Sequence, residues 1–497
     1  MKGTHKRIRK VIILFFWLGI WQAAAHLADN PILLAGPVQV LRAFAQNLLR
    51  PDFFPVIFHS LSGIGLGFFL ALFAGIVMGA VGYRMSWVEE MLSPVMAALK
   101  SVPVASFVVL LLIWFGAGRL SLLISFLIVF PNVYVNTIAG LKSTDGKLLE
   151  MAHVFGMGRG KKLFYLYRPA LMPYLESCLK ISLGMSWKSG VAAEIIGLTE
   201  SSLGERLYMA KIYLDTAGLF AWTVTIVLVS FLFEKAVLWL FRRFARWHPY
   251  PVFGPGECLQ AGTRTGQRAG SESEKEERRT DIPDKAGEAG VIRMRHIRKS
   301  YNGQPVIEDF SLTMEAGGRY LLMAPSGAGK TTLLKILTGL EQAQQGEVSG
   351  MPDRIGMVFQ DDRLCEEYDA VCNILLGMER RSRRETGRTG ACDLVHMSKK
   401  QLTEYVRAQA ARILPEDCLT KPVNSLSGGM RRRVVLLRAV LSGADILIMD
   451  EPFTGLDEET RARCAEYLIK QLGERTLLVT THREEDAELL QGRKIYC

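Results

Sequence analysis

Small residues between positions 324 and 332 provide the clearest candidate for chemistry in the sequence. They follow Arg319–Met323, an apolar run typical of a buried strand, and precede Leu333–Leu340, which is typical of a helix. Small residues in this place allow backbone N–H groups to curl around phosphates, and the helix N-terminus adds its dipole. The sequence therefore predicts a phosphate-binding loop for ATP, formed by Ser326, Gly327, Gly329, Lys330, Thr331 and Thr332.

Two side chains of this loop have individual expected roles. Lys330 would bind the β- and γ-phosphates, and the Thr331 hydroxyl would be a ligand of Mg²⁺. Ala324 occupies the position where the P-loop motif usually has its first glycine. Alanine is the smallest replacement, so we expect binding to survive, although the turn has less conformational freedom there.

Residues 445–452 form a second apolar run, which is typical of a buried strand and ends in two carboxylates. It resembles a Walker B strand. Asp450 would hold Mg²⁺ through water, and Glu451 would polarise the attacking water as a general base. A paired structural carboxylate dyad at a strand end stays open as the alternative.

Residues 426–431, with the sequence Leu-Ser-Gly-Gly-Met-Arg, lie between these two sites. Ser427, Gly428 and Gly429 precede a predicted helix, Arg431–Leu441, and so form another anion-binding helix start. The segment resembles the ABC signature, usually L-S-G-G-Q, with Met430 in place of the glutamine. This motif separates ABC ATPases from other P-loop NTPases, and the resemblance implies contact with the γ-phosphate bound to another subunit.

The resemblance to ABC ATPases covers about Val291–Cys497 and implies an α/β P-loop ABC ATPase domain with four further site residues. Tyr301 occupies the position of an aromatic residue that stacks on adenine, and Gln360 that of the Q-loop residue, which senses Mg²⁺, water and the coupling helix. Asp457 matches the D-loop, and His482 matches the switch histidine that contacts the γ-phosphate. Ordinary structural roles for Tyr301 and His482 stay open.

The elements that precede this ATPase are basic and apolar. Of the net charge of +11, residues 1–248 contribute 24 Lys+Arg against 12 Asp+Glu, while the remainder has 36 against 37. A basic half that is also the apolar half indicates a membrane domain rather than a nucleic-acid-binding protein. A helix needs about 20 apolar residues to cross a bilayer. An all-α six-span transmembrane bundle is predicted from Val11–Ala28, Phe53–Tyr83, Ser101–Gly118, Leu120–Leu141, Leu171–Leu198 and Thr216–Phe233.

Basic residues also predict the orientation of these spans. The N-terminal tail, the loop Lys142–Pro169 and the segment after the sixth span are rich in Lys and Arg, so each is expected on the cytoplasmic side. Because the number of predicted spans is even, the two ends of the membrane half lie on the same side, which places the ATPase half in the cytoplasm. The sequence therefore predicts a multi-pass protein of the cytoplasmic (inner) membrane, surrounded by lipid. A cleaved signal peptide stays open as the alternative for the first apolar segment.

The loop between the fourth and fifth spans carries a second resemblance. Its pattern is similar to E-A-A-x3-G-x9-I-x-L-P, the EAA loop of binding-protein-dependent ABC importer permeases, at Glu150, Ala152, Gly156 and Pro169. In that family the loop forms a short coupling helix that docks into a cleft of the ATPase. The resemblance extends over about Ser60–Phe241 and looks most like the permeases of the nitrate/sulfonate/taurine group. An ordinary basic loop that faces anionic lipid is the alternative.

The composition divides the chain into a permease domain, 1–248, a flexible linker, 249–290, and an ABC ATP-binding domain, 291–497. The linker is rich in Pro, Gly and charged residues and has few residues that could build a core. A polar, basic stretch, Arg380–Lys400, is predicted to be an exposed insertion. The eight cysteines form no C-x-x-C motif, so neither a metal site nor a disulfide is expected.

Lys188 and Glu194 are ionisable residues inside the predicted fifth span, where such groups are costly and often functional. They are six residues apart and so do not lie side by side on a helix. One hypothesis places Lys188 on the translocation path, where it favours an anionic substrate. The alternative is a structural partner on another helix, or snorkelling to the interface.

One membrane half and one ATPase half make half of a transporter, so a homodimer is the expected minimal unit. The predicted function is ATP-driven import of a small solute, such as a sulfonate, nitrate, or a vitamin or pyrimidine precursor. An extracytoplasmic solute-binding protein would deliver it, with ATP and Mg²⁺ as cofactors. The alternatives are an exporter half-transporter and a membrane regulatory complex that uses ATP but transports nothing.

Overall fold

A computed structural model describes residues 2–28, 30, 32–245, 290–325, 327–378 and 397–496. The chain divides into two compact units: the first comprises Met1–Thr144 and Tyr167–His248, and the second comprises Asp145–Leu166 and Pro249–Cys497. The predicted linker 249–290 and the predicted insertion Arg380–Lys400 lie largely outside the described residues. The domain boundaries at 248 and 290 therefore stay predictions.

The first unit is helical throughout its described elements, as the predicted all-α bundle requires. Its helices are α1 (Lys2–Ala28), α2 (Pro37–Leu48), α3 (Phe53–Arg84), α4 (Ser86–Ser101), α5 (Val104–Phe115), α6 (Leu120–Lys142), α9 (Arg168–Gly197), α10 (Leu203–Ile212) and α11 (Thr216–Ala245). Two intervening helices, α7 (Gly146–Val154) and α8 (Arg159–Lys162), belong to the second unit.

Among the described residues, three helical segments are long and apolar enough to cross a membrane: α3, Ala117–Lys142 and α11. The bent pair of α4 and α5 adds a fourth when it is counted as one span. The predicted first and fifth spans fall in α1 and α9, which have 27 and 30 residues. At about 1.5 Å per residue both exceed the ~30 Å hydrocarbon core, although charged residues interrupt the apolar character of α9.

The predicted third span, Ser101–Gly118, is wrong, because these residues do not form one continuous helix. The chain bends by 102° between α4 and α5, and α5 has only 12 residues, about 18 Å. Pro103 explains the bend, because a proline disfavours helical dihedrals in the residue before it, and Val102 is extended at φ −72° and ψ 131°. Gly116, at φ +72°, then ends α5.

Close packing of α3 against α6 depends on glycines spaced four residues apart. A Cβ atom on Gly75 would lie 2.7 Å from Cβ of Val133, and one on Gly79 would lie 2.7 Å from Cβ of Thr137. Gly67 approaches the backbone of Leu122 even more closely. Any side chain at these positions would force the two helices apart, so the small residues allow the close backbone approach that helix packing in membranes favours.

The second unit contains a five-stranded parallel sheet in the order β5-β6-β7-β3-β8 and a three-stranded antiparallel sheet in the order β2-β1-β4. The strands are β1 (Ile292–Tyr301), β2 (Gln304–Met314), β3 (Arg319–Met323), β4 (Gln345–Ser349), β5 (Ile355–Val358), β6 (Ile446–Asp450), β7 (Thr476–Thr481) and β8 (Arg493–Tyr496). The helices are α12 (Lys330–Leu337), α13 (Ala370–Gly377), α14 (Lys399–Ala410), α15 (Gly428–Val440), α16 (Glu458–Leu472) and α17 (Glu484–Leu490).

The order of the parallel strands explains why distant motifs meet. Strands β3, β6 and β7 are almost entirely buried, as expected for apolar runs covered on both faces. Parallel strands have their carboxyl ends at one edge of the sheet, where open α/β sheets bind ligands. Four segments therefore leave the sheet at this edge, after β5, β6, β7 and β3. In that order they contain Gln360, Asp450 with Glu451, His482, and the phosphate-binding loop.

Candidate nucleotide site

The phosphate-binding loop connects β3 directly to α12, as the sequence predicts. Gly327 and Gly329 have φ of +89° and +81°, a backbone region that favours glycine. A Cβ on Gly329 would also lie 3.0 Å from the carbonyl oxygen of Val306. Lys330 Nζ donates to the carbonyl oxygens of Ala324 (2.5 Å) and Pro325 (3.1 Å), so the lysine closes the loop on itself.

Thr331 and Asp450 meet at the sheet edge, as two residues that share a metal ion must. The Thr331 hydroxyl donates to Asp450 Oδ2 at 2.7 Å, and the Thr480 hydroxyl donates to Asp450 Oδ1 at 2.6 Å. Asp450 is 2% exposed, so its carboxylate is held by these contacts rather than by water. The hydroxyl and carboxylate oxygens are hard donors of the kind that Mg²⁺ prefers, so the residues present fit the ion.

Glu451, the residue after β6, adopts a left-handed backbone with φ of +46°. His482 Nδ1 lies 3.1 Å from Glu451 Oε1, and the Thr454 hydroxyl donates to Glu451 Oε2 at 3.3 Å. The backbone N–H of Glu451 donates to the carbonyl oxygen of Thr480 at 3.0 Å, so both the backbone and the side chain of Glu451 are held. Strain in a non-glycine residue of this kind is commonly kept at functional sites. The structure thus brings together the two residues expected to act on water and on the γ-phosphate.

Gln360 is exposed and follows β5, beside β6, as the parallel pairing of Val358 with Met449 requires. Its carbonyl oxygen accepts a hydrogen bond from Arg432, a buried residue of α15 that no motif in the sequence singles out. Arginines that follow the signature look like an ordinary basic helix face, so the sequence carries no signal for this contact.

Tyr301 lies at the end of β1 with 42% of its surface exposed, so its ring has a free area. Its hydroxyl donates to Glu341, and Lys299 Nζ lies 5.3 Å from the centre of its ring. Burial of the hydroxyl and the bond to Glu341 raise the pKa of the phenol, and the Thr332 hydroxyl opposes that shift. The contact with Thr332 places Tyr301 near the start of α12, and stacking of its ring on adenine stays a prediction.

The signature residues and the D-loop residue form adjacent helix starts. Ser427 is the N-cap of α15 and accepts from the N–H of Met430 at 3.4 Å, while both Ser427 and Gly428 are exposed. Asp457 is the N-cap of α16, and hydrogen bonds from Thr460 lower the pKa of its carboxyl. A Cβ on Gly429 would lie 3.4 Å from the carbonyl oxygen of Gly455, so the two segments touch. Ser326 lies outside the described residues.

The loop between α6 and α9 is part of the second unit. Asp145 caps α7, and Gly156, at φ +61°, follows its end. Several loop residues lie in one apolar cluster with the strand and helix residues of the ATPase: Met151, Ala152, Val154, Phe155, Met157, Tyr165 and Leu166. Met151 and Ala152 are completely buried there. The loop is therefore docked rather than free in solvent.

Polar contacts fix the register of this loop against the segment that follows Gln360. Glu150 Oε2 accepts from Arg363 Nη1 at 2.7 Å, and Lys147 Nζ lies 2.8 Å from Asp361 Oδ2. The contact with Lys147 lowers the pKa of Asp361. Three of the four EAA-type residues, Glu150, Ala152 and Gly156, belong to this unit. The fourth, Pro169, lies in the first turn of α9 in the other unit.

The structure separates the two ionisable residues of the predicted fifth span. Lys188 is exposed on α9, whereas Glu194 is fully buried. Glu194 Oε2 accepts from the Ser60 hydroxyl at 2.9 Å and from the N–H of Gly204 at 3.1 Å. Its carboxylate therefore joins α3, α9 and α10 inside the bundle, while the side chain of Lys188 lies on the surface of α9.

Comparison with known proteins agrees with both halves. Residues 67–246 match the family model of the binding-protein-dependent transport system inner membrane component, and residues 307–454 match that of the ABC transporter. The chain is 30% identical over 243 residues to the taurine transport system permease protein TauC of Escherichia coli K12, covering 48% of this chain and 87% of that protein. The chain belongs to the ABC transporter family.

Two ATPase relatives cover the other half of this ABC transporter. The taurine import ATP-binding protein TauB of Escherichia coli O157:H7 is 31% identical over 205 residues, 39% of this chain and 75% of the relative. The Nod factor export ATP-binding protein I of Burkholderia lata is 35% identical over 229 residues, 41% of this chain and 69% of the relative. One chain thus carries both a membrane permease and an ATPase, whose ATP hydrolysis is coupled to transport.

Proposed function

We propose that this ABC transporter imports a small organic sulfonate of the taurine type across the inner membrane. The permease half carries the proposal, since it is 30% identical to a taurine transport permease over 87% of that protein. The ATPase half does not decide direction, because its relatives include both an import and an export ATPase. An importer of the binding-protein-dependent class also needs an extracytoplasmic solute-binding protein, which we propose as a partner.

The sheet edge supports a mechanism for ATP hydrolysis. Lys330 would release the carbonyl oxygens of its own loop and bind the β- and γ-phosphates, with backbone N–H groups of the loop around them. Thr331, Asp450 and the Gln360 side chain would hold Mg²⁺, which supplies positive charge against the phosphates. Glu451 would orient and deprotonate the attacking water, and His482, 3.1 Å away, would contact the γ-phosphate.

The second ATP contact would come from another copy of the chain. Ser427 and Gly428 are exposed and Gly429 is half-buried at a helix start, where backbone N–H groups favour an anion. Asp457 adjoins them through the contact of Gly429 with Gly455. We propose a homodimer in which each signature completes the ATP site of the partner, so that two ATP molecules close the pair.

Docking of the loop 145–166 would transmit that closure to the membrane helices. Glu150 binds Arg363, three residues after Gln360, so movement of the Q-loop also moves the loop. Pro169 starts α9 shortly after the loop ends, and α9 carries Lys188 on an exposed face. A lysine exposed to lipid in mid-span is costly. We therefore propose that this face of α9 lines a polar path shared with the second copy, where Lys188 attracts the sulfonate.

Uptake by proteoliposomes tests the proposed function. The full chain, with MgATP on the side of its ATPase domain, would be given radiolabelled taurine with and without a taurine-binding protein from the same organism. We expect uptake that needs both ATP and the binding protein, and that the Glu451→Gln variant lacks. ATP-dependent efflux would support an exporter instead, and ATP hydrolysis without movement of taurine, alkylsulfonates or nitrate would contradict import of this class.

A further inference from the structure

Arg432 lies in the first half of α15 and is 4% exposed. Its guanidinium group has five N–H donors, and five backbone carbonyl oxygens accept from it. Two of them belong to Phe359 (2.7 Å) and Gln360 (3.2 Å), at the end of β5. The other three carbonyl oxygens lie at the end of β6 and just after it, in Asp450 (2.7 Å), Glu451 (2.7 Å) and Pro452 (3.1 Å). One buried side chain thus connects the chain segments that leave two neighbouring strands.

These acceptors belong to the residues that the proposed mechanism uses. Asp450 and Glu451 are the proposed metal and base carboxylates, and Gln360 is the proposed Q-loop residue. Glu451 has a left-handed backbone, which must be imposed by its surroundings because it costs conformational energy. Its N–H is held by Thr480 and its carbonyl oxygen by Arg432, so the guanidinium holds one of the two peptide groups that set its φ and ψ.

Packing of the protein core alone would not require an arginine at position 432. Burial lowers the pKa of the Arg432 guanidinium, although nearby carboxylates of Asp362, Asp450 and Glu451 oppose the shift. A cation buried among carbonyl groups is expensive unless geometry compensates, and a packed apolar side chain is often as stable. What an apolar or shorter side chain cannot do is hold the two segments at a fixed separation.

We propose that Arg432 is a positioning residue for ATP hydrolysis, which fixes the backbones of Glu451 and Gln360 relative to each other from within the signature helix. The inference rests on the proposed roles of Glu451 and Gln360. It adds a consequence: the helix that begins with the signature carries the residue that aligns the base in the same chain. Contact of the signature with a partner's nucleotide would therefore act on hydrolysis in both copies.

The test uses the full-length protein in nanodiscs and the variants Arg432→Lys and Arg432→Gln. Lysine keeps the charge but has a single nitrogen, which cannot reach both segments in the same geometry. We expect kcat for ATP to fall on the order of ten-fold or more in Arg432→Lys, while the dissociation constant for ATP changes less than about two-fold, because the loss is confined to the transition state. We expect kcat for ATP to fall further in Arg432→Gln.

Arg461→Lys is the matched control. Arg461 is also a buried arginine, 6% exposed, but it pairs with Glu485 and Asp486 rather than with the site. We expect Arg461→Lys to lower the melting temperature and to leave kcat per folded protein unchanged. If Arg432→Lys behaved in the same way, with unchanged kcat, the proposal would be overturned. If Arg432→Gln failed to fold, the lysine variant alone would decide.

A double variant separates this inference from the proposed function. If Arg432 acts through Glu451, the variant with both Arg432→Lys and Glu451→Gln should hydrolyse ATP no more slowly than Glu451→Gln alone. Additive losses would show that Arg432 acts elsewhere and would overturn the inference. Normal hydrolysis in Glu451→Gln would instead contradict the proposed base, whatever the arginine variants do.

Discussion

Lys330 donates hydrogen bonds to two carbonyl oxygens of its own loop, which hold its ammonium group against the backbone. Glu451 is engaged in a similar way, since His482 and Thr454 contact its two carboxylate oxygens. At the scale of single residues, the side chains of the proposed site are therefore held in place by contacts with other groups of the same chain.

Replacing Glu451 by glutamine tests the assignment of the general base. We expect kcat for ATP to fall about 100-fold or more, because general-base catalysis contributes on the order of 10²–10⁴ in rate, while ATP binding is retained. Steady-state phosphate release and equilibrium binding of labelled ATP would measure the two effects. Glu459→Gln, in the exposed first turn of α16, serves as the control and should leave both unchanged.

No sequence motif marks Thr480, although it contacts Asp450, the carboxylate proposed to bind Mg²⁺. Its hydroxyl donates to Asp450 Oδ1 at 2.6 Å, and it is completely buried. Thr480→Val keeps the shape but removes this donor, so we expect the Mg²⁺ concentration for half-maximal hydrolysis to rise about ten-fold, as for other residues that orient metal ligands. Thr481→Val, which removes a hydroxyl bonded to Asp486 instead, should not shift the Mg²⁺ titration.

At the scale of elements, the loop 145–166 makes two ion pairs of different burial. Arg363 is 7% exposed in its pair with Glu150, whereas Lys147 and Asp361 are both more than half exposed. Exposed ion pairs contribute little to stability. In a buried pair, removal of one partner leaves the other charge buried without compensation, which is costly. Arg363 would be that charge if Glu150 lost its own.

Glu150→Gln should therefore lower the number of solute molecules imported per ATP more than Lys147→Met does. Uptake and phosphate release would be measured on the same proteoliposomes, and their ratio compared between the two variants. Equal ratios would contradict a coupling role for the buried pair.

The exposed pair should make no difference to pH dependence near neutrality. Lys147 lowers the pKa of Asp361 below 3.8, and Asp361 raises that of Lys147 above 10.5. The stabilising contribution of the Asp361 carboxylate to the ion pair is complete above pH 3.8 and is lost as the pH falls through its lowered pKa. The stabilising contribution of the Lys147 ammonium group is complete below pH 10.5 and is lost as the pH rises through its raised pKa. Between these two pH values we expect the ion pair to cause no change in the number of solute molecules imported per ATP hydrolysed.

Packing of α3 on α6 gives a prediction for stability. Gly75→Ala would place its Cβ 2.7 Å from Cβ and Cγ1 of Val133, so the helices must separate or shift. Overpacking of this kind typically costs about 1–3 kcal/mol. We expect a lower melting temperature in detergent for Gly75→Ala, but not for Gly184→Ala, whose added Cβ meets no atom within 4 Å.

At the scale of the whole molecule, a homodimer predicts complementation between two inactive chains. Lys330→Ala should disable the phosphate loop, and Ser427→Arg should block the signature. A mixed pair still has one intact site, because the loop and the signature of that site come from different chains. Refolded or co-expressed equal mixtures should recover up to about a quarter of the activity if the sites act independently. No recovery would contradict sites shared between copies.

The sequence allowed the proximity of the proposed site residues to be predicted, because they follow strand ends in one parallel sheet. Asp450, Glu451 and His482 meet at the edge that the motif order implies, and Thr331 meets Asp450. Arg432 and Thr480 could not be predicted, since their partners are backbone oxygens and a carboxylate fixed only by the tertiary fold. In the membrane half, the bend at Pro103 was missed because an apolar run reports hydrophobicity and length, not direction.

The burial of loop 145–166 in the ATPase unit has a consequence for synthesis of the protein. Met151 packs in one apolar cluster with Met357 and Phe359, about 200 residues later in the chain. At ribosomal rates of about 5–20 residues per second, the loop waits roughly 10–40 seconds for its partners. During that interval we expect its apolar side chains to lack these partners. The docked form of the loop can therefore assemble only after Met357 and Phe359 have been synthesised, and until then the newborn chain carries apolar surface of the kind that chaperones bind.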